Sequence, residues 1–355
     1  MSRTILIMAG GTGGHIFPGI AVGRELRERG VEVVWLGGKV GLEGRLVPAA
    51  GFTLETLDFS GVRGKGLATL ALAPLRLLRA ILAARKLLRR LRPASVLSMG
   101  GYAAAPGGIA AWMSRIPLVV HEQNRVPGFT NRLLARFARR LLAGFADSLT
   151  GSEWVGNPVR SEIGALAPPA QRLNGRDGAI RILVLGGSQG AQSLNLMLPG
   201  VIRHCGDRVE LEVRHQSGAR HLDQTRSAYA AVNRVVAVEP FVDDMAAAYA
   251  WADIVICRAG ALTIAELCAA GVASILVPYP QAVDDHQSRN AEVLVEAGAA
   301  RLVAEGEAFA ERLARCLDEL ACNRSKLLDM AISARALARP DATARIADVC
   351  IEVAA

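Results

Sequence analysis

Between Phe59 and His121 the chain contains no aspartate or glutamate, while ten lysines and arginines fall in the same stretch. The whole protein carries a formal net charge of +8 over 355 residues, so its positive charge is concentrated here and the remainder is slightly acidic. A cationic partner is excluded for this region; a membrane surface, a nucleic acid or a polyphosphate is indicated. Aromatics are also scarce, at 5%, and none interleaves the bases between Arg63 and Arg92, which argues against base stacking and hence against nucleic acid. The six cysteines all lie in the second half without a C-x-x-C pair, which argues against a structural zinc site; reduced, mostly buried thiols of a cytosolic protein are expected. There is no long apolar leader, because Thr4–Met8 runs straight into glycines, so no signal peptide is expected.

Several nucleotide motifs are missing. The first glycine turn places Ile16 where G-x-G-x-x-G needs its third glycine, and the second strand ends in Trp35-Leu36-Gly37-Gly38 without a carboxylate for an adenosine ribose. No Walker G-x-x-x-x-G-K-[ST] and no Asp-x-Asp occur. Hydride transfer, ATP hydrolysis and a metal-bridged sugar nucleotide all lose ground.

Two glycine-rich turns remain, one opening each half. Gly10-Gly11-Thr12-Gly13-Gly14-His15 follows Thr4–Met8, and Gly186-Gly187-Ser188-Gln189-Gly190 follows Ile182–Leu185. Such turns let bare backbone approach a ligand and aim helix N–H groups at it. Hydrophobic residues at 51% and charged residues at 21% fit a well-packed two-domain enzyme. Apolar runs alternating with helical patterns predict a doubly wound α/β fold. Strands are predicted near Thr4–Met8, Glu32–Leu36, Ser95–Ser98 and Leu118–His121, then near Ile180–Leu185, Val209–His215, Arg234–Val238, Ile254–Cys257 and Ser274–Val277. A helix is predicted after Pro18, as a first-turn proline. The Pro/Gly/Asn-rich stretch Gly156–Gly178 reads as the connection between domains, expected at 1–160 and 161–337, with the last helix, about 338–355, packing back on the first.

The basic segment has a helical pattern. On a wheel of Leu67–Arg92, Leu70, Leu77, Ile81, Leu88 and Leu91 share one sector, expected to face the core. Leu75, Leu78 and Leu82 fall among Arg76, Arg79, Arg85, Lys86 and Arg89 on the remaining circumference. That is either a solvated helix or subunit contact, or a face that docks on an anionic bilayer, where each base contributes about 1 kcal/mol and leucines enter the interface. A transmembrane span is disfavoured, since each central base costs about 2.5–3.5 kcal/mol there.

Candidate chemistry gathers at predicted strand ends. His15, where the first glycine turn meets its helix, is either a turn-finishing polar residue or a general base titrating near neutrality. Glu122 and Asn124, in His121-Glu122-Gln123-Asn124, and Tyr102, after Gly100-Gly101, belong at the same sheet edge, where open α/β sheets bind ligands. In Arg258-Ala259-Gly260-Ala261-Leu262-Thr263-Ile264-Ala265-Glu266, the amides of Ala261–Thr263 suit a diphosphate. Glu266 is either a helix-dipole carboxylate or a bidentate acceptor of two ribose hydroxyls. Asp284–Asn290 reads as a metal site or a helix start.

Gly10–His15 with Phe17-Pro18-Gly19, Gly100–Tyr102, His121–Asn124, Gly156–Arg160, Gly186–Gly190, Arg258–Glu266 and Asp284–Asn290 occur in an order and spacing that resembles the MurG family, N-acetylglucosaminyltransferases of peptidoglycan synthesis. The resemblance implies a GT-B architecture, two Rossmann-like parallel-sheet domains facing a cleft and closing around the donor. It implies inverting transfer of GlcNAc from UDP-GlcNAc to the C4 hydroxyl of MurNAc in lipid I, giving lipid II and UDP, by a peripheral protein at the cytoplasmic face of the inner membrane. It also implies that Val242 meets the uracil through its backbone, Glu266 the ribose, and Ser188 with Ala261–Thr263 the diphosphate. Ile264, Ala265, Arg160 and Gln287 complete the donor positions. Thr12, Gly13, Gly14 and Asn124 correspond to positions reaching the donor sugar, and His15, Tyr102, Glu122, Gly101 and Asn195 to acceptor-binding, catalytic or supporting ones, with His15 or Glu122 as the single base that an inverting displacement needs. No tightly bound cofactor is implied, and a divalent-metal requirement stays open.

Overall fold

The central strands are runs of apolar residues covered on both faces, the pattern of parallel sheets flanked by helices. The computed structural model describes residues 3–38, 41–59, 72–187, 190–205, 209–232 and 234–355. It divides into one unit of Met1–Val159 with Arg339–Ala355 and a second of Arg160–Ala338.

In the first unit, β1 (Thr4–Ala9), β2 (Glu32–Gly38), β3 (Thr53–Leu57), β4 (Ser95–Gly100), β5 (Leu118–Glu122), β6 (Arg140–Ala143) and β7 (Glu153–Trp154) form a parallel sheet ordered β3-β2-β1-β4-β5-β6-β7. On one face Ile16, Ile20 and Leu26 of helix Gly13–Glu28 share a core with Ile346, Ala347, Val349 and Cys350 of helix Ala342–Glu352. Ser95 Oγ donates to the Cys350 carbonyl at 2.8 Å, tying the C-terminal helix to β4. On the other face Ala84, Leu87 and Leu88 of helix Ala73–Leu91 and Ala110 and Ala111 of helix Ala104–Met113 cover the sheet.

Helix Ala73–Leu91 turns the expected sector to the core, with Leu88 in it and Ile81 and Leu91 packed against it. It buries Ala80, Ala84, Leu87 and Leu88, while Leu77, Ile81 and Leu91 are half-buried. Ala80, Ala84 and Leu87 join that face. Leu70 lies outside the described residues. Leu75, Leu78 and Leu82 are 46%, 52% and 53% exposed.

In the second unit, β8 (Ile180–Leu185), β9 (Leu211–Gln216), β10 (Val235–Glu239), β11 (Ile254–Cys257), β12 (Ala273–Leu276) and β13 (Ala300–Leu302) form a parallel sheet ordered β10-β9-β8-β11-β12-β13. Helices Gln192–His204, Phe309–Ala321 and Arg324–Ala336 contribute Leu198, Leu317 and Met330 to its core. The chain passes from the first unit to the second at Val159–Arg160, early in the stretch read as a connection.

Candidate functional site

In each unit the strand order reverses once, between β1 and β4 and between β8 and β11. Crevices at such reversals, outside the carboxyl ends of the strands, are where open α/β sheets take ligands. The glycine turns follow β1 and β8, and the Gly100–Tyr102 and Arg258–Glu266 segments follow β4 and β11. Each motif pair therefore flanks one switch point.

In the first unit β1 ends at Ala9, whose carbonyl accepts from the buried Trp35 indole at 2.8 Å. Helix Gly13–Glu28 begins directly after the turn, with the His15 and Ile16 amides both donating to the Thr12 carbonyl at 3.1 and 3.3 Å. Its start is five residues before the one predicted, and Pro18 lies inside it. The proline has no amide to donate to the carbonyl of the exposed Gly14 four positions earlier. The first-turn amides of Gly13 and Gly14 have no acceptor within the helix, the usual basis for anion recognition. A Cβ on Gly101, at φ 95°, would stand 2.4 Å from the Gly10 carbonyl oxygen, so only glycine lets the β4 loop rest on the β1 loop.

His15 is half-buried where these loops meet. Its Nδ1 lies 3.3 Å from the Gly10 carbonyl, and its Nε2 edge sits over Gly100, 3.0 Å from where a Cβ would be. Donation from Nδ1–H to Gly10 selects the tautomer whose lone pair is on Nε2, as a base requires. The Tyr102 ring is exposed beside Gly11.

Glu122 is 1% exposed at the end of β5. Its Oε1 accepts from the Asn124 amide (2.9 Å) and Asn124 Nδ2 (3.3 Å), and its Oε2 from the Gly128 amide (3.1 Å) and Asn131 Nδ2 (2.9 Å). Four donors occupy the carboxylate, leaving no lone pair directed at a substrate proton. These bonds organise the turn that carries Asn124. Neighbouring His121 is fully buried, donating from Nε2 to the Gly156 carbonyl (2.9 Å) and accepting at Nδ1 from Gln123 (3.0 Å); burial drives its pKa down to about 4.

In the second unit, helix Ala261–Ala270 starts at Gly260, which makes no side-chain cap. Ile264 donates to the Gly260 carbonyl at 2.9 Å, so the amides of Ala261, Leu262 and Thr263 point beyond the helix end. Ile264 itself is 1% exposed and faces the core, and Ala265 is half-buried. Ser188 lies outside the described residues. The adjoining Gly190 would place a Cβ 2.3 Å from the Ser217 carbonyl.

Glu266 projects one turn further on. Arg160 donates to its Oε1 from Nε (3.2 Å) and Nη2 (2.8 Å), and the Tyr249 hydroxyl to its Oε2 (3.0 Å). Val242 is buried, so its side chain serves the core and a ligand would meet only its backbone. Gln287, in the first turn of helix His286–Glu296, accepts from the Tyr279 amide at 2.9 Å, which leaves its amide nitrogen as the outward donor. Arg258 bonds the Val277 and Pro278 carbonyls (3.2 and 3.1 Å), Glu305 (2.6 Å) and Ser193 Oγ (2.9 Å), tying the loops of adjacent strands together.

Asn195 lies behind the second glycine turn. It is buried in helix Gln192–His204, donating to the Ser217 carbonyl (2.9 Å) and bonding His215 Nε2 (2.9 Å), whose Nδ1 bonds the Tyr229 hydroxyl (3.0 Å). With both ends of its amide used internally, Asn195 supports the Ser217–Gly190 contact. Asp284–Asn290 forms a helix start: Asp284 and Asp285 adopt φ of 54° and 50°, and Ser288 Oγ donates to Asp285 at 2.6 Å. Among the described residues no three His, Cys, Asp or Glu side chains converge as a metal site. Sequence reasoning missed Asn131, Tyr249, His215 and Glu43; the Asn and Glu are polar residues at helix starts, a signal too common to single them out.

Comparison with known proteins follows this geometry. Residues 5–143 match the glycosyltransferase family 28 N-terminal domain and residues 181–346 the family 28 C-terminal domain. The chain is 54% identical over 354 residues to a UDP-N-acetylglucosamine--N-acetylmuramyl-(pentapeptide) pyrophosphoryl-undecaprenol N-acetylglucosamine transferase of Xanthomonas euvesicatoria pv. vesicatoria, covering 100% of this chain and 82% of that one. It is 55% identical to the protein of the same name from Xylella fastidiosa, covering 99% and 96% of the two chains. Among solved structures it resembles the crystal structure of Acinetobacter baumannii MurG, with a TM-score of 0.90, 38% identity and 99% coverage of both.

Proposed function

The chain belongs to glycosyltransferase family 28, and from that membership we infer that it transfers N-acetylglucosamine from UDP-GlcNAc to the C4 hydroxyl of MurNAc in lipid I, forming lipid II and UDP. The observation that carries the donor side is Glu266. A carboxylate held between Arg160 and Tyr249, one turn inside a helix whose first amides are open, offers a ribose acceptor and a diphosphate cradle at nucleotide spacing. Val242 offers its backbone to the uracil, and Gln287 its amide to the GlcNAc.

The first unit supplies the acceptor side. The C4 oxygen attacks the anomeric carbon as the bond to UDP breaks, and its proton passes to His15 Nε2. One displacement inverts the anomeric centre and needs only one base. Negative charge builds on the departing diphosphate, where the amides of Ala261–Thr263 stabilise it. Thr12, Gly13, Gly14 and Asn124 are offered to the sugars, Tyr102 and Gly101 shape the acceptor's entry, and Asn195 braces the second glycine turn.

The acceptor is an anionic lipid, and helix Ala73–Leu91 presents Leu75, Leu78 and Leu82 among Arg76, Arg79, Arg85, Lys86 and Arg89. This face docks on the anionic cytoplasmic leaflet of the inner membrane, with the leucines in the interface. Among the described residues no helix is long and apolar enough to cross a membrane. Incubation with UDP-GlcNAc and a lipid I analogue tests the assignment. A β-linked disaccharide and UDP in equal amounts are expected. UDP release without disaccharide, or without dependence on the acceptor, overturns it in favour of a hydrolase or an epimerase.

A further inference from the structure

Glu43 is 2% exposed, opens the short helix Glu43–Ala49 after β2, and has no place in the chemistry above. Its Oε2 accepts from the Gly11 amide at 3.2 Å and its Oε1 from the Gly38 amide at 3.0 Å. One carboxylate thus bridges the carboxyl ends of β1 and β2. The space it occupies is made by missing side chains: a Cβ on Gly10, Gly37 or Gly41 would stand 2.7, 2.8 or 2.3 Å from its atoms. Burying a carboxylate is costly unless its oxygens are matched by donors, so this arrangement exists for the bonds it makes.

We propose that Glu43 is the positioning residue of the first glycine turn, holding Gly10 and Gly11 in the conformation that orients His15 toward the acceptor. Gly11 is held by Glu43, and the Gly10 carbonyl, one residue back, receives His15 Nδ1 and supports Gly101. Releasing the Gly11 amide frees the peptide on which both contacts depend. The inference rests on the reading of this turn as the acceptor site.

The test is Glu43→Gln in the full-length protein. Glutamine keeps the shape but replaces one acceptor with a donor, so it faces an N–H with an N–H and cannot serve both glycines. The expected result is a fall in kcat of tenfold or more and a raised KM for a lipid I analogue, with UDP affinity within twofold of the parent. Glu43→Asp, which keeps two acceptors, is expected to retain more activity than Glu43→Gln. A space-filling role predicts the reverse order, since glutamine is the isostere, and that order overturns the proposal. A loss of UDP affinity equal to the acceptor-side loss, signifying general damage, also overturns it. His15→Gln is the companion measurement: full transfer by that variant removes the acceptor-site reading itself, whereas an inactive His15→Gln beside an unimpaired Glu43→Gln removes only the role of Glu43.

Discussion

The Tyr249 hydroxyl lies 3.0 Å from Glu266 Oε2, and the tyrosine is completely buried. Burial and the adjoining carboxylate hold its phenol well above the ordinary value, so it remains a donor across the physiological range. Arg160 grips the other oxygen from the more exposed side. The carboxylate is thereby fixed in orientation before any ligand arrives, which lowers the ordering cost of binding.

Removing Glu266 should weaken UDP binding by about 1–3 kcal/mol, the scale of hydrogen bonds to a charged group. Tyr249→Phe should cost about 0.5–1.5 kcal/mol, because Glu266 stays but loses its alignment. Both variants should narrow the preference for UDP over 2′-deoxy-UDP in titration calorimetry. Unchanged discrimination in Glu266→Ala would refute its ribose role.

His15→Ala should reduce kcat by about 100- to 10,000-fold, the range for a lost general base, and leave UDP affinity intact because the donor contacts lie on other residues. Single-turnover transfer to a soluble acceptor reads this directly. A variant with undiminished chemical rate would move the base elsewhere.

Exchange of Leu75, Leu78 and Leu82 for serine should lower association with vesicles containing anionic lipid and spare turnover of a water-soluble acceptor. Raising the salt should weaken the parent's vesicle binding as the bases are screened. Equal vesicle sedimentation by parent and variant would assign the leucines to a protein contact.

Acid should destabilise both units through buried imidazoles. Burial lowers the pKa of His121 in the first unit and of His215 in the second to about 4, below the unfolded value of about 6.5. Between these values the unfolded chain binds more protons than the folded one, so stability is complete above the unfolded pKa and falls as the pH drops toward the folded pKa. Each group contributes a slope of about 1.4 kcal/mol per pH unit in that window. Thermal melts from pH 7 to pH 4.5 should show a falling Tm, with a shallower decline in His215→Gln. A parent Tm independent of pH would contradict this.

The central strands were legible because β1, β4, β5, β8 and β11 are mostly apolar, as burial on both faces demands. The edge strands β3, β7 and β13 and the short β6 were not, since Thr53–Leu57 carries a glutamate and Glu153–Trp154 is only two residues long. Both glycine turns were legible because close backbone approach needs glycine whatever the partner. The supports of the site were hidden in pairings set by strand order: Glu43 reaches Gly11, and Tyr249 reaches Glu266, only after each sheet has formed. The surroundings of Glu122 were hidden for a related reason. A carboxylate at a strand end looks the same in sequence whether its oxygens are open or, as here, saturated by Asn124, Gly128 and Asn131.

The division of the chain has a consequence for biosynthesis. Ile346, Ala347, Val349 and Cys350 complete a core begun by Ile5 and Ile7, yet Arg160–Ala338 is translated between them. The later-coded unit holds all its own strands and can close while the ribosome is still at work, whereas the earlier-coded one must wait with an open flank. A nascent protein truncated before residue 346 would therefore expose its defect at the opposite end of the polypeptide, around helix Gly13–Glu28, and offer chaperones and proteases a target there.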